Sequence, residues 1–197
     1  MHREQPVPQA EIITLAFHVD YWNYLGWKDE FSSPMFSQRQ ELYGQKFKID
    51  SIYTPQMIVD GKWEFVGNDS GKATKTIQEA SKIVKFAVQA TFASNLLKIK
   101  IPELTAHEDA TVFLAIAEDN LKSEVSRGEN SGRTLEHISV VRELKTVGRI
   151  TATENSFETE VPFQKQATWK QENLKFVVFV QENKSRKIIG LIKVVLE

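Results

Sequence analysis

The stretch Met57-Ile58-Val59-Asp60-Gly61-Lys62-Trp63-Glu64-Phe65-Val66 decides how the first part of this chain is read. Two short apolar runs flank Asp60-Gly61, and Asp-Gly accepts the positive φ that a tight reversal demands. This predicts a hairpin with Met57–Val59 as one strand and Trp63–Val66 as the other. Just before it stand Ile52-Tyr53-Thr54-Pro55-Gln56. Further upstream, Ser33-Pro34 opens a helix, with Ser33 as N-cap and Pro34 at the first helical position. Met35, Phe36, Arg39, Gln40, Leu42, Tyr43 and Phe47 follow at mixed three- and four-residue spacings, which predicts about three turns ending near Lys46. After the hairpin, Asn68-Asp69-Ser70 caps a second helix, roughly Gly71 to Ile83, with Ala73, Ile77 and Ala80 inward. At the front, Glu11 to Val19 (EIITLAFHV) is a nearly continuous apolar run, as expected of a strand buried on both faces in a parallel sheet. Asp20 to Ser33 is aromatic-rich without a clean period and reads as a structured loop.

The character of the chain changes at Val84. From there the pattern is strand after strand: Lys85–Phe92, Leu96–Ile101, Thr111–Glu118, His137–Thr146, Ser156–Val161, Lys175–Gln181 and Lys187–Val195. Alternation is clearest in Leu97-Lys98-Ile99-Lys100-Ile101. Short strands without intervening helices predict an antiparallel sandwich. The class is therefore α+β, with a domain of residues 1–83 and an all-β, sandwich-like domain of residues 84–197.

Composition excludes several functions. Twenty-five basic against 26 acidic residues give a net charge of −1 over 197 residues. No basic patch is present, so no nucleic-acid partner is expected. No stretch approaches the roughly 18 apolar residues of a membrane span, and no membrane partner is expected. Met1 to Ala10 lacks the apolar core of a signal peptide. Cysteine is absent, which rules out disulfides, thiolate metal sites and thiol nucleophiles together and leaves the compartment open. Composition does not give the oligomeric state.

Few residues carry candidate chemistry. His18 and Asp20 end the apolar run, where α/β proteins gather ligand-binding groups. Two residues apart on a strand point the same way, as a base with an orienting carboxylate or as two metal ligands would. Two ligands make a weak metal site, and His2, His107 and His137 add no ligand spacing, so no metal or other cofactor is expected. Tyr21, Trp22, Tyr24 and Trp27 read mainly as a loop anchored on the core, with Trp22 the one to test as a ligand contact. Gly128-Glu129-Asn130-Ser131-Gly132-Arg133 lacks the Gly-Lys-Ser/Thr ending of a phosphate loop. It reads as a structured loop between strands, with Glu129 and Arg133 as a local ion pair. No catalytic triad or paired-carboxylate pattern stands out, and no catalytic residue is assigned.

The segment Leu15-Ala16-Phe17-His18-Val19-Asp20-Tyr21-Trp22-Asn23-Tyr24-Leu25-Gly26-Trp27-Lys28-Asp29 resembles a signature of the domain of unknown function 1223 family, mostly secreted bacterial proteins with a thioredoxin-like fold. Further segments match it: Phe31-Ser32-Ser33-Pro34 with Arg39-Gln40, then Tyr53 to Gly61, Gly128 to Leu135, and Val140-Val141-Arg142. The resemblance spans about Ala10 to Leu196, and through its match at Gly128 to Leu135 it implies a domain-interface site at Glu129, Asn130 and Arg133. It implies a thioredoxin-like first domain that lacks the family's first strand, its Cys-x-x-Cys-Pro-Pro turn and most of its first helix. Glu11–Val19 would then expose an unpaired edge. The resemblance also implies a cis proline at Pro55, facing the position of the redox turn. Tyr53, Thr54, Pro55 and Gln56, with His18, Asp20 and Trp22, become the expected substrate-binding residues for an extended peptide or protein. For a full-length form it implies a periplasmic or secreted thiol–disulfide oxidoreductase, of which this chain is an inactive or binding-only fragment. The alternatives are a peptide-binding module without catalysis, or a weak metal or small-molecule binder through His18 and Asp20.

Overall fold

The computed structural model describes residues 5, 7, 8, 10–127 and 131–196. Helix α1 (Pro34–Phe47) begins as its sequence demands: the Ser33 hydroxyl accepts from the Met35 amide and Pro34 stands in the first turn. It ends where Lys48 turns left-handed. The hairpin follows as β1 (Gln56–Val59) and β2 (Trp63–Val66), antiparallel and, among the described residues, paired only with each other. Helix α2 (Ser70–Ser81) is capped by Asp69, whose side chain accepts from the Lys72 amide, and it buries Ala73, Thr76, Ile77 and Ala80.

Nine further strands make up the rest of the described chain: β3 (Gln89–Ala93), β4 (Leu96–Ile101), β5 (Ala110–Glu118), β6 (Leu121–Glu124), β7 (Thr134–His137), β8 (Val140–Ile150), β9 (Phe157–Pro162), β10 (Leu174–Glu182) and β11 (Ile188–Val195). They form a four-stranded sheet in the order β11-β10-β5-β8, a three-stranded sheet in the order β3-β4-β9, and the small hairpin β6-β7. Every ladder is antiparallel. The protein is of the α+β class.

The side-chain alternation of β5 and β10 explains the layering. Val112, Leu114, Ile116, Phe176, Val178 and Val180 face the three-stranded sheet and close the main core on Leu97, Ile99 and Ile101. The intervening residues Phe113, Ala115, Val177 and Phe179 face the other way. There they meet Phe36 of α1 and the side chains of Ile13, Leu15 and Phe17. One sheet thus serves two cores, which is why all nine residues of β10 are buried.

Three expectations are corrected. Among the described residues Glu11–Val19 forms no ladder and makes one bridge, Ala16 to Val140, in the parallel sense. Its apolar run reflects packing on the four-stranded sheet and α1, not burial within a parallel sheet. The expected strand Lys85–Phe92 begins only at Gln89, with Phe86 making a single bridge to Gly190. The expected strand His137–Thr146 is two strands, because the chain reverses at Ile138-Ser139, where Ser139 has φ +58° and its amide donates to Asp119 at 2.6 Å.

The β1–β2 turn is fixed to the turn between β10 and β11. Asp60 C=O accepts from the Ile188 amide at 2.9 Å, and Asp60 also pairs with Lys85 at 2.7 Å. Gly61 has φ +63°, and a Cβ there would lie 1.8 Å from the Arg186 carbonyl oxygen. Only glycine fits this contact.

Candidate functional site

Between the front segment and the β1–β2 hairpin lies a cavity of about 1070 Å³. Ile13, Leu15, Phe17 and Val19 line one side, and Thr54, Pro55, Gln56 and Ile58 line the other. Phe36, Arg39, Gln40 and Tyr43 of α1, together with Phe179, Ile188 and Leu191 of the four-stranded sheet, complete its walls.

The backbone of the front segment is half used. Ile12 exchanges both its backbone groups with the Gln5 amide side chain, at 2.7 and 3.0 Å. Ala16 exchanges both of its own with β8 and the residue before it, donating to Ser139 C=O at 2.8 Å and accepting from the Val141 amide at 2.9 Å. His18 C=O accepts from the Ser33 amide at 3.1 Å. In an extended chain alternate residues turn their N–H and C=O groups to opposite edges. Ile13, Leu15, Phe17 and Val19 therefore present theirs away from β8. Those groups have no backbone hydrogen bond among the described residues, and the same four residues line the cavity. On the far side β1 pairs, among the described residues, with β2 alone, and its other edge is open there too.

The loop from Asp20 to Ser33 closes one end of the cavity. It is held by Asn23, whose side-chain amide donates to Ser32 Oγ at 2.9 Å and whose carbonyl accepts from the Asp29 amide at 3.1 Å. Gly26 turns it with φ +99°. Trp22 and Trp27 reach the cavity wall. Trp22 stays 45% exposed, and its indole N–H donates to Thr54 Oγ1 at 3.1 Å. Tyr21 OH donates to Gln40 at 2.9 Å, and Gln40 in turn donates to Tyr53 C=O at 2.8 Å. The Thr54–Pro55 peptide is cis.

His18 and Asp20 do not act together. His18 Nδ1 lies 2.5 Å from Asp29 Oδ2. Asp20 instead holds the first turn of α1: its carboxylate accepts from Ser37 Oγ at 2.5 Å, and its amide donates to the same oxygen at 3.1 Å. Burial raises the Asp29 carboxyl, but hydrogen bonds from His18 and the Phe31 amide and the neighbouring imidazoles outweigh it, so the net shift is downward. The His18 ring also stands 5.2 Å from that of His137, edge to face. Burial, with His18 beside it, lowers the His137 pKa, so that ring prefers to be neutral. Its Nε2 lies 2.9 Å from Ser123 Oγ. Among the described residues no group of three or more His, Asp or Glu gathers to hold a metal.

Of the residues expected to contact a substrate, His18, Trp22, Thr54, Pro55 and Gln56 lie on the cavity wall; Tyr53 and Asp20 do not. Tyr53 OH donates instead to Glu64, and burial together with that carboxylate pushes its pKa up to about 12. The glycine-rich loop connects β6 to β7, with Val125 and Arg127 on the cavity wall. Glu129 and Asn130, and so the expected ion pair of Glu129 with Arg133, lie outside the described residues. Sequence reasoning missed Arg39 and Asp29 as site residues. Arg39 recurs with Phe36, Gln40 and Tyr43 at helical spacing, which was the available signal.

These features define an α+β protein with an apolar groove running between two open backbone edges. The chain belongs to the family described as protein of unknown function (DUF1223), whose match covers residues 1–181. A protein of Agrobacterium tumefaciens with a known crystal structure is similar at 24% identity, with 94% of this chain and 81% of that one aligned and a TM-score of 0.73. HBP35 of Porphyromonas gingivalis is similar at 11% identity over 83% of this chain and 58% of that one, with a TM-score of 0.55. At such identities the likeness concerns the fold. No curated protein matches the chain. Among the described residues no helix is long and apolar enough to cross a membrane.

Proposed function

We propose that this protein is a binding module that receives an extended peptide by strand addition in the groove between residues 11–19 and β1. The supporting observation is the row of backbone groups at Ile13, Leu15, Phe17 and Val19, which lie on the cavity wall and have no backbone partners among the described residues. Unpaired backbone groups on an apolar wall are costly to leave unmade, and an added strand satisfies them in register. In this reading residues 1–83 form a thioredoxin-like unit, and residues 84–197 supply the opposite wall through the β6–β7 hairpin and β10–β11. Thr54, Pro55, Gln56, His18 and Trp22 contact the bound segment. Amide exchange followed by NMR tests it: a bound peptide is expected to slow exchange at Ile13, Leu15, Phe17 and Val19 by at least about tenfold. Exchange at those four amides that ignores every extended peptide tried would end the proposal.

A second reading makes the added strand intramolecular. A longer, periplasmic or secreted form would carry a Cys-x-x-Cys turn beside Pro55 and Trp22 and act as a thiol–disulfide oxidoreductase. Thiol exchange needs a thiolate, and this chain has no cysteine. Insulin reduction is therefore expected from an extended form and not from the chain itself. Turnover by the cysteine-free chain would defeat this reading.

A further inference from the structure

We propose that the groove is selective for an extended peptide with an acidic side chain, which Arg39 binds, flanked two residues away on each side by apolar side chains. This rests on the strand-addition reading above and names the class of segment the groove takes.

Arg39 is the observation behind it. Its guanidinium carbon lies 5.4 Å from the ring centroids of Phe17, Tyr43, Phe113 and Phe179. One N–H group donates to Tyr43 OH over a long 3.4 Å. No carboxylate among the described residues pairs with it. The two acids on the cavity wall are already engaged, Asp29 with His18 and Asp60 with Lys85. A guanidinium has five donors and stays charged. Aromatic faces attract the charge but accept none of the remaining N–H groups as a carboxylate would. Burial lowers the Arg39 pKa; Tyr43 raises it in part and the nearby charge of Arg186 lowers it, with the net shift downward. The site is thus a cation on a cavity wall, packed among four aromatic rings and with no carboxylate partner among the described residues.

The position of Arg39 gives the spacing. Laterally adjacent residues in a ladder point their side chains to the same face. Ile13, Leu15 and Phe17 point toward the core that Phe36 of α1 shares, and Arg39 lies over the Phe17 ring. A peptide residue beside Phe17 would therefore turn its side chain toward Arg39. The residues two places before and after it would fall on the same face, against walls such as Leu15, Phe36 and Leu191.

The test uses blocked heptapeptides Thr-Val-Thr-Xaa-Thr-Val-Thr with Glu, Gln or Lys at the centre, titrated calorimetrically into the full chain. The Glu peptide is expected to bind about tenfold more tightly than the Gln peptide, the Lys peptide more weakly still. Arg39→Gln is expected to erase the Glu preference. Arg39→Lys, which keeps the charge and guards against a folding defect, is expected to retain part of it. Amide exchange at Ile13, Leu15, Phe17 and Val19 is recorded on the same samples. Equal affinities with protected amides would overturn the acidic selectivity and leave strand addition standing. A Glu preference that survives in folded Arg39→Gln would overturn the role of Arg39. No binding and no protection with any of the peptides would overturn both proposals. Arg39-dependent binding of dodecanoate without amide protection would assign the site to a small amphiphile and overturn the peptide.

Discussion

Asp29 and His137 show how single side chains set the pH response of the cavity rim. The Asp29 pKa is held below its ordinary value of 3.8, so the stability it lends is full above that value and drains as pH falls through the lower, folded value. The His137 pKa is lowered from 6.5, so its contribution is complete above 6.5 and is lost as pH falls from there through the folded value. Both groups act in the same direction, which predicts two successive losses of thermal stability on acidification. His137→Gln is expected to remove the earlier one, below pH 6.5, and Asp29→Asn the later one, at a cost of about 1–2 kcal/mol at neutral pH. Melting temperatures from pH 8 to pH 3 check this; an unchanged acid limb in Asp29→Asn would contradict it. At this scale the sequence was only partly legible. His18 could be singled out because it ends an apolar run, but Asp20 was the nearer carboxylate, and only the folded loop brings Asp29 to 2.5 Å. Arg39 reads from sequence as one more position on a helix. Its environment depends on Phe113 and Phe179, which belong to strands far along the chain.

Elements whose signals are local were legible. Ser33-Pro34 opens α1, Asp69 caps α2, and Asp60-Gly61 turns the hairpin, because each depends on residues a few positions apart. Glu11–Val19 was not. Its composition reports burial, and burial alone does not tell a laddered strand from an extended segment lying on a sheet with one bridge. The hairpin β6-β7 was missed in part because Leu121–Glu124 is short and half polar. The β1–β2 turn gives the sharpest prediction at this level. Gly61→Ala places a methyl group 1.8 Å from the Arg186 carbonyl at a left-handed φ. The expected loss is on the order of 3 kcal/mol, combining the strain of the backbone with overpacking. Urea denaturation measures it, and a loss below about 1 kcal/mol would mean that the two turns yield easily.

Across the molecule, the four-stranded sheet ties the two cores together. Phe176 lies in the main core, edge to face with Phe92 at 5.1 Å and Phe163 at 4.8 Å. Truncation to alanine is expected to cost about 4 kcal/mol. Because β5 and β10 present alternate residues to both cores, loss on one face weakens the other. Phe176→Ala should therefore unfold in a single transition whether tryptophan fluorescence or far-ultraviolet dichroism is followed. Two separated transitions would show instead that the helical layer melts apart from the sandwich.

The contact between Gly61 and Arg186 also bears on how the protein can be engineered. The tip between Asn183 and Lys187 looks like an ordinary surface reversal, the kind of place chosen for an epitope tag, a grafted domain or new termini. Here it is the footing of another reversal that lies far ahead of it in the chain, and through that the footing of β1. An insertion there would unseat one side of the groove while leaving the sandwich intact, separating binding from folding in a single clone.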